Sequence, residues 1–136
     1  MKEEFVPYEL ALKLKQLAFD EPCISYYTVY GKFSNDYSAP RKYNSEFELG
    51  SYISAPTYSQ AFRWFREKNQ LDTSINTVYS KYNDTLSKKY SGVIDDKSVF
   101  TNIGFYDTYE EAELACLDKL IEIVESKKEE DGRDGR

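Results

Sequence analysis

Histidine is missing from this sequence of 136 residues. Histidine is the only side chain whose unperturbed pKa lies close to neutral pH, and it is the most common metal ligand in proteins. Its absence excludes Ser-His-Asp triads, Cys-His dyads, zinc sites with histidine ligands and phosphotransfer through histidine. We therefore expect a protein that is not an enzyme, since only carboxylates remain as plausible catalytic groups.

Cysteine, glycine and long apolar runs are also scarce. The two cysteines, Cys23 and Cys116, stand far apart without CxxC spacing, and the six glycines form no phosphate-binding loop. No apolar run approaches the ~18 residues of a membrane span, and the charged start Met1–Glu4 lacks a signal-peptide pattern. These features predict a cytoplasmic protein with free thiols, no metal, no cofactor and no membrane contact.

Tyrosine, in contrast, is abundant, and the acidity is concentrated near the C-terminus. The chain has 13 tyrosines, 8 phenylalanines and one tryptophan, which predicts half-exposed strands and an aromatic surface. The formal net charge is −6, and residues 106–136 hold eleven acidic and five basic side chains. The rest of the chain is therefore neutral overall. This balance disfavours duplex nucleic acid as a partner, because neutralised phosphates dominate such binding.

Helix and strand signals alternate along the chain. Helices are predicted to open at Pro7, at Tyr58 (running to about Lys68) and after Thr108, the last two behind the capping boxes Thr57-x-x-Gln60 and Thr108-x-x-Glu111. Strands are predicted at residues 23–30, 51–53, 74–82, 86–93 and 98–106, with breaks at 83–84 and 94–96. We expect an α+β fold: one antiparallel sheet of about four or five strands with three helices, in the order α-ββ-α-ββ(β)-α. Residues 1–128 are predicted to form a single domain, and 129–136 a disordered charged tail.

A short pattern recurs at the predicted helix starts. Tyr-x-x-Ala occurs at residues 8–11, 58–61 and 109–112, and the segment at 28–33 resembles the segment at 77–82. These offsets favour a pseudo-repeat of two ββα units. Shared local preferences of helices and strands explain the same matches without a repeat, so both interpretations stay open.

The predicted second helix carries the clearest binding signal. Arg63 and Arg66 are three residues apart and share a helix face, and Trp64 lies between them. Arginine forms bidentate contacts with phosphate and carboxylate groups, and the helix N-terminus at Thr57 favours an anion. The alternative is an amphipathic helix that buries its aromatic residues and exposes a solvated basic face.

Tyrosines on the predicted strands form a second candidate site. We select Tyr26, Tyr30 and Tyr79 as binding candidates, because exposed tyrosines on a sheet can stack on bases or contact a protein. Cross-strand aromatic pairing, which stabilises a sheet without any ligand, is the alternative.

Four segments carry a resemblance to a known group of proteins. They are FVPYE at residues 5–9, FDEPC at 19–23, APTYSQAFRWFREK at 55–68 and TYEEAELACL at 108–117. In these segments the chain resembles a group of small uncharacterised proteins of Bacteroidetes genomes, including phages and prophage-like regions. The resemblance implies a bacterial or phage setting. The group has no known activity, so it transfers no functional residue.

Two functional hypotheses follow from the sequence. The leading hypothesis is a non-enzymatic accessory module, associated with phages or prophages, that binds a protein partner through its aromatic sheet or its second helix. The alternative is a protein that binds a small ligand or nucleic acid through phosphate contacts of the helix at 58–68. A homodimer is compatible with either hypothesis.

Overall fold

The structure, a computed structural model, describes residues 4–35, 42–47 and 51–134, with side chains described as far as residue 130. Three α-helices and six strands lie in these ranges, in the order α-βββ-α-βββ-α. The α+β class is confirmed. The prediction of one sheet of four or five strands is wrong, because the described strands form two separate antiparallel sheets of three strands each. The chain divides into two compact units, Met1–Ala61 and Phe62–Arg136.

The first unit places one helix against a small sheet. Helix α1 (Tyr8–Gln16) begins directly after Pro7 and packs against β3. Strands β1 (Ser25–Thr28), β2 (Phe33–Asn35) and β3 (Tyr52–Ser54) form a sheet in the order β2-β1-β3. A 3₁₀ turn at Asn44–Glu46 precedes β3. The interior of this unit consists of apolar side chains from α1, from β1 and β3, and from the segments beside them: Val6, Leu10, Ala11, Leu14, Phe19, Tyr27, Ile53 and Ala55.

Strand β1 is shorter than the sequence predicted, because a turn begins at its last residue. The carbonyl of Thr28 accepts a hydrogen bond from the amide of Gly31, and its hydroxyl accepts from the amides of Tyr30 and Lys32. Gly31 has a φ of +82°, a conformation that glycine adopts without a steric penalty. The turn reverses the chain directly into β2. The polar segment predicted at 31–50 lies partly outside the described residues.

The second unit packs a long helix on one face of a meander. Helix α2 (Tyr58–Asn69) enters it at Phe62, and strands β4 (Leu71–Tyr82), β5 (Thr85–Asp96) and β6 (Val99–Tyr106) pair in the order β4-β5-β6. Helix α3 (Tyr109–Asp134) contacts all three strands. Its buried side chains are apolar and form one face of the helix: Ala112, Cys116, Leu117, Leu120, Ile121 and Val124.

Two-residue turns connect the strands of the second sheet. Asn83 and Asp84 both have positive φ, as the mirror-image hairpin turns require, and the break predicted there is confirmed. The break predicted at 94–96 is wrong. Strand β5 continues to Asp96. Ile94 is buried within it, and the Asp96 carboxylate forms an ion pair with Lys127 of α3 at 3.0 Å.

A close approach between β5 and α3 explains one glycine. A β-carbon added to Gly92 would overlap the Sγ of Cys116, and Gly92 is buried. The register between β5 and β6 shifts beside it, since Gly92 faces Gly104 while Val93 faces Asn102. This bulge places one additional residue, Ile103, in β6.

The predicted repeat holds for the helix starts and fails for the strands. Tyr8, Tyr58 and Tyr109 are the first residues of α1, α2 and α3. Residues 28–33 form a turn, however, whereas residues 77–82 run straight through β4. The central strand is the first of its sheet in one unit and the second in the other. The two segments are therefore not structurally equivalent.

Helix α3 extends beyond the predicted domain boundary. The sequence predicted a disordered tail from residue 129, and the helix continues to Asp134. No helix within the described ranges has the length and apolar character needed to cross a membrane.

Candidate functional site

Thr57 is engaged at the N-terminus of α2. Its hydroxyl accepts from the amide of Gln60 at 3.2 Å, and its own amide donates to the Gln60 side chain at 3.1 Å. The Gln60 side chain also donates to the carbonyl of Pro22 at 3.0 Å. The predicted capping box is therefore confirmed. The amide and the hydroxyl of Thr57 are both engaged in this cap.

The basic-aromatic segment of α2 separates into an exposed and a buried part. Arg63 and Arg66 are exposed, and neither forms an ion pair with a described residue of the second unit. Trp64 is only 7% exposed, and its ring meets Phe65 edge-on at 4.9 Å. Trp64 is thus part of the interior and does not share a solvent-facing surface with the two arginines.

The candidate tyrosines of the first unit have opposite environments. Tyr26 is half-buried in a cluster of three rings, where its centroid lies 4.9 Å from Tyr52 and 5.9 Å from Phe47. Tyr30 lies in the turn after β1 and is almost fully exposed. Cross-strand aromatic pairing therefore accounts for Tyr26, whereas Tyr30 is free to contact a partner.

Tyr79 belongs to the second sheet, at the end where β4 and β5 continue beyond β6. Strand β6 ends opposite Tyr90, at Tyr106, so residues 78–89 form a two-stranded ribbon that we call the distal hairpin. The ring of Tyr109, the first residue of α3, lies 5.9 Å from that of Tyr90. At about 3.4 Å per residue, the distal hairpin extends roughly 14 Å beyond the third strand.

One face of the distal hairpin combines apolar and basic side chains. The strand register pairs Tyr79 with Lys88 and Lys81 with Leu86, so these four side chains point to the same side of the ribbon. All four are exposed, and Leu86 retains 65% of its accessible surface. We call this set the basic face. A leucine exposed beside a tyrosine in this way is a feature of interaction surfaces rather than of cores.

The charges of the distal hairpin are mainly positive. It carries three lysines, and Asp84 in the turn is its only acid. Lys89 binds Asp107, and Lys81 approaches Asp84 at 3.8 Å with both side chains largely in solvent. Lys88 lies 5.2 Å above the Tyr90 ring, and a hydrogen bond to the Tyr90 side chain raises the pKa of Lys88. Lys88 therefore presents a positive charge on the basic face.

Two phenylalanines are exposed on the opposite side of the sheet, which α3 does not cover. Phe100 pairs with Asp95 and Phe105 with Ser91, which places both rings on the face away from Gly92 and Ile94. Phe100 is 68% exposed, and Phe105 is exposed to a similar extent. The sequence interpretation missed these rings and Leu86. Two signals could have identified them. Side chains alternate between the two faces along β6, and only one apolar helix, α3, follows this sheet, so it can cover only one of the two faces.

The next candidates are the groups that could act as a nucleophile or hold a metal ion, namely the Cys116 thiol and the acidic side chains. Burial, with a smaller contribution from Glu113, raises the pKa of the Cys116 thiol to about 11, so it is protonated at neutral pH. Among the described residues, no three cysteine or acidic side chains converge to hold a metal ion. Burial, with a smaller contribution from Glu110, also raises the pKa of the Glu113 carboxyl. The thiol of Cys116 is therefore a weak nucleophile at neutral pH.

A cavity of about 300 Å³ lies in the first unit, lined by Lys15, Ala18, Phe19, Asp20, Asn44 and Ser45. Its polar groups already bind each other. The Asn44 side chain donates to the carbonyl of Phe19 at 2.9 Å, and its oxygen accepts from the amide of Ser54 at 2.8 Å. A carboxylate oxygen of Asp20 accepts from the amide of Ser45. The cavity floor is thus a structural network that supports the turn before β3.

The exposed apolar side chains of the second sheet are the most distinctive surface of the described residues.

Comparison of the whole chain with protein-family models, with curated proteins and with solved structures gives no significant match.

Proposed function

We propose that this chain is a non-enzymatic interaction module that binds a protein partner through the exposed apolar side chains of its second sheet. The observation that carries the proposal is the position of these side chains on the sheet's uncovered face and on the distal hairpin: Tyr79, Tyr82, Leu86, Phe100 and Phe105. The resemblance of the sequence to Bacteroidetes phage and prophage proteins suggests an accessory role in that setting.

The chemical character of these exposed side chains, which lie on both faces of the sheet, supports a protein partner. Tyrosine and phenylalanine are enriched at protein interfaces, and they supply large contact areas at a low cost in side-chain entropy. Large apolar side chains exposed on neighbouring strands of one sheet differ from the isolated exposed leucines of an ordinary surface. Burial of such rings in an interface contributes roughly 1.5–3 kcal/mol for each side chain.

The absence of catalytic equipment supports the non-enzymatic part of the proposal. The sequence has no histidine, and the Cys116 thiol has a pKa raised to about 11. The carboxylates of α3 are explained by their positions, because Glu110 and Glu111 lie in its first turn, where the helix dipole favours negative charge.

Site-specific crosslinking tests this function. A photoreactive phenylalanine analogue at Tyr82 or at Phe100 should crosslink a defined protein in extracts of the organism that encodes the chain. The same analogue at Glu122 or Ser126, which are exposed on α3, is the matched control. Excess wild-type chain should compete with the crosslink, and a Tyr82→Ser/Phe100→Ser chain should not. Equal crosslinking from all four positions would contradict the proposal.

A second candidate function is phosphate-dependent binding of a small ligand or nucleic acid by α2. The observation that favours it is the exposure of Arg63 and Arg66 without an ion pair in the described second unit. A ligand present at about 100 times its Kd adds about 2.7 kcal/mol to stability, so a thermal-shift screen with nucleotides and oligonucleotides at low salt tests it. Arg63→Ala/Arg66→Ala should abolish any shift, and Lys68→Ala on the same helix should not. No shift with any phosphate compound would eliminate this candidate.

A further inference from the structure

We infer that the distal hairpin accepts an extended, acidic protein segment as an added strand alongside Thr85–Lys89 of β5. This inference rests on the proposed function, since it names the chemistry of the partner and the place where it binds. The occupant is a strand that runs antiparallel to β5, with an acidic side chain opposite Lys88 and an apolar one opposite Leu86.

The first support is the unfilled edge of β5. The pairing of β5 with β6 ends at Tyr90, whereas its pairing with β4 continues to Thr85. Along residues 85–89, the described part of the chain therefore supplies a strand partner on the β4 side only. Alternate residues of this segment direct an amide and a carbonyl outward, which is the arrangement that a peptide uses when it adds a strand to a sheet.

The position of this edge defines the direction of the added strand. It continues the line of β6, which is antiparallel to β5 and ends at Tyr106. An antiparallel segment placed there would extend the three-stranded sheet over the distal hairpin. Its residue opposite Lys88 precedes its residue opposite Leu86 by two positions, so the recognised pattern is acidic–x–apolar.

The second support is charge. On the basic face, Lys81 forms a solvent-exposed ion pair with Asp84 of the turn at 3.8 Å, whereas Lys88 forms no ion pair with a described residue of the second unit. Lys89 is directed to the opposite face, where it binds Asp107. A carboxylate opposite Lys88 on the added strand gains a cross-strand ion pair, and an apolar side chain opposite Leu86 covers surface that is now in water. A single cross-strand pair contributes little, so binding depends on several pairs together with the backbone hydrogen bonds.

Charge also argues against the two competing occupants. A second copy of the chain paired through the same edge would place two copies of Lys88 on one face without an acid, an arrangement that like-charge repulsion disfavours. A nucleic acid strand would extend past the hairpin toward residues 106–136, where acidic side chains outnumber basic ones by eleven to five. A short acidic segment confined to the hairpin avoids that repulsion.

Peptide titration of the intact chain tests the inference. The probe is a peptide of about eight residues, the length of an ordinary strand, in which glutamate alternates with valine. In ¹⁵N-resolved NMR spectra it should shift the amides of residues 85–89 in a saturable manner. A peptide with lysine in place of glutamate should bind at least about tenfold more weakly, a difference that corresponds to 1.4 kcal/mol.

Variants distinguish the ion pair of Lys88 from nonspecific binding of the peptide. Lys88→Glu should lower the affinity for the glutamate peptide by at least about tenfold. It should raise the affinity for the lysine peptide, since the reversed charge restores the ion pair. Lys128→Glu, an exposed charge reversal on α3, is the matched control and should leave both affinities unchanged. Lys88→Gln, which removes the charge without reversing it, should give an intermediate loss. The NMR spectrum of each variant reports whether it is folded.

The other outcomes distinguish the competing occupants. Tighter binding of an oligothymidylate than of the glutamate peptide, or self-association through β5 in sedimentation without peptide binding, would overturn the inference. If the crosslinks from Tyr82 and Phe100 identify a partner while the peptide neither binds nor competes, this inference fails and the proposed function stands. If the crosslinks find no defined protein, the proposed function fails, whatever the peptide does.

Discussion

The two sheets use aromatic residues in opposite ways. In the first sheet the strands are three or four residues long, and their rings pack on one another, as Tyr26 does with Tyr52 and Tyr27 with Phe33. In the second sheet two strands are twelve residues long, and their aromatic residues beyond Tyr90 lie in water. A tyrosine is therefore a core residue or a surface residue according to whether its strand is covered at that point.

The length of the covering element explains the difference. In the first unit, α1 and the segments beside it cover the short strands, and the hydroxyl of Tyr27 donates to the carbonyl of Val6 at 2.7 Å. In the second unit, α3 covers the strands only as far as Tyr90. The distal hairpin is thus stabilised by strand pairing and its turn, and its side chains remain available for contacts outside the chain.

The sharpest test of this comparison is the removal of one tyrosine from each sheet. Tyr27→Ala should lower the free energy of unfolding by about 3–5 kcal/mol, because it leaves a cavity and an unsatisfied Val6 carbonyl. Tyr82→Ala should change it by no more than about 0.5 kcal/mol, since that ring is 80% exposed. Chemical denaturation measures both. Similar losses in the two variants would mean that the distal hairpin is covered after all.

A pair of leucines makes the same test within the second sheet. Leu71 is fully buried at the start of β4, and Leu86 is exposed in the distal hairpin. Leu71→Ala should cost about 2–5 kcal/mol of unfolding free energy, and Leu86→Ala less than about 0.5 kcal/mol. If Leu86→Ala proved the more harmful, the division between a covered base and an uncovered end would be wrong.

The pH dependence of stability tests the burial of Cys116 beneath α3. Its pKa is raised by burial from 9.0 to about 11, so the folded state holds the proton more tightly than the unfolded state does. The resulting stability is complete below pH 9 and is lost as the pH rises toward 11. At about 1.4 kcal/mol for each pH unit, the loss over these two units should be about 3 kcal/mol. Cys116→Ala should flatten the profile in that window, whereas an unchanged slope would show that the thiol is not buried.

The contact between Gly92 and Cys116 gives the smallest and most local test. Gly92→Ala should destabilise the second unit by roughly 1–3 kcal/mol, because the new methyl group overlaps the sulfur. In a double-mutant cycle, Cys116→Ala should recover part of this loss, since it removes the overlapping atom. Strictly additive effects of the two substitutions would contradict the packing of β5 against α3. Gly104, on the neighbouring strand, has a φ of +123°, so its substitution is strained for a different reason and serves as a contrast.

Local signals predicted the helices well and the candidate site only in part. The capping box at Thr57 and the apolar pattern of α3 were readable because they involve residues within a few positions of each other. Trp64 was placed with the arginines because helical spacing does not reveal which aromatic side chains are buried. Exposure of Phe100 was not anticipated, since it depends on which sheet face α3 covers.

The sequence by itself determined where the three helices begin, that strands separated by a turn at 83–84 follow the second helix, and that neither catalytic histidine nor a metal-binding cysteine motif is present. These properties depend on composition and on neighbours in the chain. Only the tertiary structure decided that six strands form two sheets, because β1 pairs with β3 across more than twenty residues. It also decided which tyrosines are buried, because an identical side chain is interior or exposed according to the element packed against it. The exposed end of the second sheet, and with it the proposed binding surface, is therefore a consequence of tertiary packing.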